Sequence, residues 1–219
     1  MLSSHIASQI YKNFGFDPTP GQKTVVERLS RFIAEAPTDR TFILNGYAGT
    51  GKTTLVAALV RTLEEMGVPA VLLAPTGRAA KVMSRYAGRK AYTIHKKIYR
   101  QKTLASAESH FSLDYNKQKN AVFIVDEASM LSNYSPDGSL FGSGQLLDDL
   151  VTYVRRGAGC RLILVGDTAQ LPPVGLEHSP ALDMQHMQGY GEAEAVLLDD
   201  VVRQDSQSGI LFNLSLIHI

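Results

Sequence analysis

Eight consecutive residues, Gly46-Tyr47-Ala48-Gly49-Thr50-Gly51-Lys52-Thr53, carry the chemistry most readily read from this chain. Their pattern, G-x-x-x-x-G-K-[ST], joins glycines that let a backbone wrap closely round an anion to one ammonium and one hydroxyl. In such a loop the N–H groups, together with the first turn of a following helix, face phosphate oxygens. Lys52 is then placed to neutralise β- and γ-phosphate charge and Thr53 to hold Mg²⁺, with Gly46, Ala48, Gly49, Thr50, Gly51 and Thr54 completing the cradle. From average residue usage, chance would produce the pattern in a chain of 219 residues on the order of 1% of the time, and the flanking residues lower that further. A nucleoside triphosphate, ATP with Mg²⁺, is the expected ligand.

Two further groups of polar residues follow apolar runs. Val122 to Val125 ends in Asp126-Glu127, the carboxylates that the second half of a phosphate-loop site requires. Asp126 reads as a Mg²⁺ ligand, direct or through water, and Glu127 as the group that polarises an attacking water; a helix cap is the local alternative. Gly166-Asp167-Thr168-Ala169-Gln170 follows Arg161 to Val165 in the same manner, and Gln170 could reach a γ-phosphate from there. Its alternative is a plain turn in which Asp167 caps a helix.

These groups need elements that bring them to one place. The runs Thr41 to Leu44, Ala70 to Ala74, Ala121 to Val125 and Arg161 to Val165 are too short for helices and apolar at successive positions, as strands covered on both faces are. A weaker strand is expected at Ala195 to Leu198. Helical stretches separate the runs, at Thr53 to Met66, Gly77 to Tyr86 and Gln145 to Arg155, and two more precede them: Ile6, Ile10 and Phe14 share one spacing, and a second helix starts near Thr19-Pro20. The alternation predicts an α/β domain, a mainly parallel sheet with helices on both faces. Alternating residues Phe111, Leu113 and Tyr115 predict an inserted β-hairpin between Ile98 and Tyr115, within an insertion at about 98–120. Ser132 to Gly144, dense in Gly, Ser, Pro and Asp, predicts a mobile surface loop.

Overall charge says little, with 22 Lys and Arg against 21 acids. Its distribution says more: no acid stands between Glu65 and Glu108, where nine cations from Arg78 to Lys102 interleave with Tyr86, Tyr92 and Tyr99. Cations along a groove with aromatics for base stacking are what sequence-tolerant single-strand binding needs. Cys160, the only cysteine, and the lack of an apolar leader or membrane-length run make a cytoplasmic protein without disulfide, zinc or membrane contact the expectation, and a monomer is expected.

In their order, GYAGTGKT (46–53), LAPTGRAAKV (73–82), YTIHK (92–96), IVDEASM (124–130) and VGDTAQLPPVG (165–175) resemble the RecD and Dda branch of superfamily 1 DNA helicases, superfamily 1B, which translocate 5′ to 3′. Gln22 and Arg203 extend the resemblance over residues 18 to about 213. It implies a RecA-like phosphate-loop motor domain driving movement on single-stranded DNA and at duplex junctions. It also implies adenine contact by Gln22, with a capping box of Thr19 and Gln22 as the competing local reading. Arg203 is implied to touch the γ-phosphate. Pro75, Thr76, Gly77, Arg78, Thr93 and His95 are implied on the DNA track, the hairpin as a strand-separating pin, and Phe111 as a base-stacking residue; a packed histidine and a plain surface hairpin are the local alternatives.

The family continues into a second motor domain, which is absent from these residues, so residues 1–213 read as an N-terminal motor domain and fragment. Leu214 to Ile219 (LSLIHI) resemble translated transposon-end sequence and read as non-native, although Ile210, Leu211, Leu214 and Ile217 keep helical spacing. A phosphate-loop switch module, or the motor part of a recombination nuclease or conjugative relaxase, are the competing functions.

Overall fold

The computed structural model describes residues 2–102, 110–133, 141–170, 172–173 and 175–200. In chain order its elements are α1 (Leu2–Phe14), α2 (Pro20–Glu35), β1 (Thr41–Gly46), α3 (Lys52–Glu65), β2 (Ala70–Ala74), α4 (Gly77–Ala87), β3 (Ala91–Thr93), α5 (Ile94–Ile98), β4 (Tyr99–Lys102), β5 (His110–Leu113), β6 (Val122–Val125), α6 (Leu146–Arg155), β7 (Arg161–Gly166), α7 (Met184–Gln188) and β8 (Ala193–Leu198). A short 3₁₀ turn, Ala128–Met130, follows β6.

Six strands form one sheet in the order β3-β2-β6-β7-β1-β8, and every pair in it is parallel. Side chains along a strand alternate between faces. Phe42, Leu44, Leu72, Val122, Ile124, Ile163 and Val165 therefore join Ile6, Val25, Leu29, Leu55, Leu59 and Met83 from α1 to α4 in one core. Ile43, Val71, Leu73, Phe123, Val125, Leu162 and Leu164 join Ile94, Leu147, Leu150, Val154 and Met187 from α5, α6 and α7 in the other. Both faces are covered, which is why these strands read as continuous apolar runs. The fold is the expected α/β phosphate-loop domain.

Parallel pairing also decides where the site lies, because the loops that leave parallel strands all emerge at one edge. Register keeps those ends level: Leu44 pairs with Val165, Val125 with Leu164 and Leu73, and Ala74 with Thr93.

Two details differ from the sequence-based expectation. The hairpin is present as a separate antiparallel pair, β4 with β5, in which Gln101 faces Phe111. Tyr115, expected in its second strand, lies outside it and is 67% exposed. The reason is its neighbour: Asn116 is buried and donates through Nδ2 to the carbonyls of Tyr153 and Val154, which anchors the chain to α6 and turns it out of the ladder. The second is β3 with α5, where Ala91 to Ile98 forms an edge strand and a one-turn helix too short to show a period.

Candidate nucleotide site

β1 delivers the phosphate loop. Gly49 (φ +80°) and Gly51 (φ +88°) take left-handed backbone conformations that disfavour a side chain, and they bend the chain from strand to helix within a few residues. Gly51 is the N-cap of α3 and supplies no side-chain cap, so the first N–H groups of that helix keep their donor capacity for a ligand. The loop is braced from within by Thr50, whose buried hydroxyl donates to the Tyr47 carbonyl at 2.9 Å. A Cβ on Gly46 would stand 3.0 Å from the Leu198 carbonyl and 3.1 Å from Thr50 Oγ1, so the loop has no room for a larger residue there.

Lys52 folds over this loop, with Nζ donating to the carbonyls of Gly46 and, at 2.8 Å, Tyr47. Burial holds its pKa below the ordinary lysine value, against the opposing pull of Asp167, Asp126 and Glu127. Those carboxylates arrive from the ends of β6 and β7. Asp126 N–H bonds to the Leu73 carbonyl at 2.9 Å, and its Oδ1 accepts from the Glu127 N–H at 3.0 Å. Glu127 is raised above the ordinary glutamate pKa by burial and then by the charge of Asp126, while Lys52 and a hydrogen bond from Gln170 pull it down.

One cavity of about 730 Å³ collects these groups. Tyr47, Ala48, Gly49, Gly51, Lys52, Thr53 and Thr54 from the loop line it with Asp126, Glu127, Asp167 and Gln170. The remaining lining comes from Phe16, Val82 and Tyr86. Thr53 and Asp126 are hard oxygen donors in the same cavity, a set that suits a cation taking few protein ligands beside phosphate oxygens, as Mg²⁺ does. Among the described residues no group of three His, Cys, Asp or Glu side chains is arranged to hold a metal by itself.

Asp167 caps no helix. Its Oδ1 accepts from the Ala169 N–H at 2.9 Å in a local turn, and it is 4% exposed beside the cavity. Gln170 accepts from Ser129 Oγ at 3.3 Å and also bonds Glu127. Gln22 is fully buried in a complete capping box: its Oε1 accepts from the Thr19 N–H at 3.0 Å. Its Nε2 donates to the Thr50 carbonyl at 3.1 Å, which ties α2 to the phosphate loop. Arg203 lies outside the described residues, as do Leu171, Val174 and the segment 214–219.

Of the residues assigned to DNA by resemblance, all but Phe111, which lies in β5, stand on the same edge, at the ends of β2 and β3. Thr76 caps α4 by accepting from the Ala79 N–H at 3.2 Å, and Thr76, Gly77 and Arg78 are exposed beside half-buried Pro75. Thr93 caps α5 in the same way, accepting from the Lys96 N–H at 3.2 Å. His95 packs against Tyr99 and Phe141 at ring-centroid distances of 5.7 and 5.1 Å, and burial lowers its pKa, which keeps it neutral at pH 7. Phe111 stacks on Phe141 at 4.6 Å, so one face of its ring is already covered.

Phe16, Val82 and Tyr47 gained no individual role from the sequence, although they line the cavity, and Tyr86, expected among the aromatics for base stacking, is half-buried and lines the cavity with them instead. Only Tyr47 could have been found there, by its place inside the motif. Tyr86 has a direct part in the site, since its hydroxyl donates to Asp126 Oδ2 at 2.7 Å. Burial, followed by the Asp126 charge and this hydrogen bond, pushes its pKa well above the usual phenol value.

A family model described as an AAA domain matches residues 18–216 of this chain. The ATP-dependent RecD2 DNA helicase of Deinococcus radiodurans is 32% identical over 160 residues, covering 72% of this chain and 19% of that protein. The ATP-dependent DNA helicase dda of Enterobacteria phage T4 is 33% identical over 165 residues, covering 72% of this chain and 33% of that protein. The chain thus spans only a minor part of the length of either relative. Among solved structures, the Pif1 helicase from Candida albicans is similar with a TM-score of 0.53 over 91% of this chain and 44% of that one, at 17% identity, which is a likeness of fold.

Proposed function

The chain belongs to the AAA-domain family, in its RecD-, Dda- and Pif1-like superfamily 1B branch, and from that premise we propose that it is one motor domain of an ATP-dependent DNA helicase moving 5′ to 3′ on single strands. The observation that supports the proposal is a single sheet edge at which two groups of residues stand side by side. The phosphate loop, Asp126, Glu127 and Gln170 share one cavity there, and Pro75 to Arg78 with Thr93 to His95 stand on the neighbouring strand ends.

In this reading the N–H groups of Gly49 to Thr53 and the Lys52 ammonium hold the triphosphate, and Thr53 with Asp126 hold Mg²⁺. When bound, Mg²⁺ neutralises charge on the β- and γ-phosphate oxygens. Glu127 orients the attacking water and accepts its proton. A glutamate whose pKa is raised by burial is a stronger base for that task than an exposed one. Gln170, bonded to Glu127, lies where it can report the γ-phosphate to the rest of the chain. Arg203 supplies a cation to the transition state. Gln22 braces the phosphate loop through Thr50, and because it is buried with both ends of its amide bonded inside the chain, contact with adenine requires it to leave the Thr19 or the Thr50 bond. Thr76, Gly77, Arg78, Thr93 and His95 hold the DNA backbone, with Phe111 and the hairpin at the junction. In this reading a second motor domain closes the other side of both sites.

Lys52→Ala tests this reading. In an intact homologue carrying the equivalent change, ATP hydrolysis stimulated by single-stranded DNA should fall by two orders of magnitude or more, roughly what removing a group that stabilises transition-state charge costs. Oligothymidylate binding should change by less than about twofold. Turnover retained in this variant would remove the assignment of the loop.

A further inference from the structure

Tyr86 belongs to none of the phosphate-loop motifs, yet it is the side chain that grips the carboxylate on which the metal reading depends. It stands four residues after Val82, so both leave α4 on one side, and both line the nucleotide cavity. Its ring packs against the core formed under α1 to α4, which fixes the hydroxyl in place. Asp126 therefore has one oxygen held by Tyr86 at 2.7 Å and the other by the Glu127 N–H at 3.0 Å. An ionised carboxylate has about four acceptor sites. Two are used in holding it, and the others are left for a cation or its water.

The opposite end of α4 begins at Gly77, where Thr76, Gly77 and Arg78 are exposed. Ala80, Met83 and Ala87 are buried along the same helix, so it is packed as a rigid unit. Nine residues, about 13 Å of helix rise, separate the two ends. We propose that Tyr86 is the positioning residue of the metal site, holding Asp126 in the orientation that a triphosphate-bound Mg²⁺ needs, and that through this bond α4 links the DNA-facing residues to that carboxylate. The inference rests on the helicase reading for the nature of both ligands. A displacement of α4 at its exposed end carries the Tyr86 hydroxyl with it, and Asp126 must follow or lose its partner.

Tyr86→Phe removes one oxygen and keeps the ring. Binding of a fluorescent ATP analogue by the full chain, followed across a Mg²⁺ series with and without oligothymidylate, reads the effect without relying on turnover. The Mg²⁺ concentration at half-saturation should rise roughly tenfold, the lower end of what losing a partner of a metal ligand costs. Analogue affinity in EDTA should stay as in the parent, and the shift that oligothymidylate causes in the parent should vanish. An unchanged Mg²⁺ half-point overturns the positioning role. Absence of an oligothymidylate effect in the parent, or its persistence in Tyr86→Phe, overturns the link. Tyr86→Leu separates packing from hydrogen bonding: a metal shift in this variant with none in Tyr86→Phe assigns the effect to the ring and overturns the proposal. Analogue binding that Lys52→Ala leaves intact would instead sink the triphosphate reading, and this inference with it.

Discussion

Glu127 has φ +54°, one of two non-glycine residues with a left-handed backbone among those described. Such a conformation costs a residue with a Cβ on the order of 1–2 kcal/mol, and its position beside Asp126 and the phosphate loop fits strain retained for function. The same backbone turn sets the Glu127 side chain against the cavity, where burial and Asp126 raise its pKa. Glu127→Gly should therefore separate stability from activity. Glycine relieves the backbone cost, so thermal unfolding should occur within about 1 kcal/mol of the parent or above it. ATP turnover should fall by roughly two orders of magnitude, as when a positioned base is lost. Thermal melts and turnover on one preparation decide it, and a markedly less stable variant with normal turnover would contradict both halves of the argument.

At the scale of elements, α4 combines a cap, a basic face and a face toward the nucleotide cavity. Thr76 has two readings that experiment can separate, since it caps the helix in the structure and is assigned to DNA by resemblance. Thr76→Ala should cost about 1 kcal/mol of stability, as loss of an N-cap does. Arg78 is exposed at the first turn and makes no ion pair among the described residues. Arg78→Ala should leave stability nearly unchanged but weaken oligothymidylate binding and reduce the slope of log affinity against log salt by about 1. If Thr76→Ala instead weakens oligothymidylate binding while the melting temperature is held, the cap is secondary to DNA contact. His95 is neutral at pH 7, so its replacement should not alter the slope.

Across the whole molecule, the charge of the site sets what it can bind. Among the described residues that line the cavity, Lys52 is the one cation against the carboxylates of Asp126, Glu127 and Asp167. A triphosphate entering that cavity without a metal meets three carboxylates, opposed by Lys52 and the N–H groups of the loop. Metal removal should accordingly weaken ATP binding roughly tenfold or more. Titration of a fluorescent ATP analogue in EDTA and in Mg²⁺ measures the difference, and equal affinities would show that loop and lysine suffice.

Much of this was legible before folding, because phosphate-loop chemistry requires particular residue types at fixed short spacings. Gly46 to Thr53, Asp126 with Glu127, and Gly166 to Gln170 are each local, and an apolar run before each one marks a strand covered on both faces. From these the α/β class and the ends of strands that carry the site follow. Partners distant in sequence were not legible. Tyr86 and Asp126 are 40 residues apart, Gln22 and Thr50 are 28 apart, and Phe111 meets Phe141 across a segment without a period. Such meetings depend on strand order and on how far each helix is turned about its axis, which no local pattern encodes. The sequence by itself determined which groups could hold a triphosphate; the tertiary structure alone decided which neighbours orient them, because orientation is set by packing between elements that the chain brings together only once the sheet has formed.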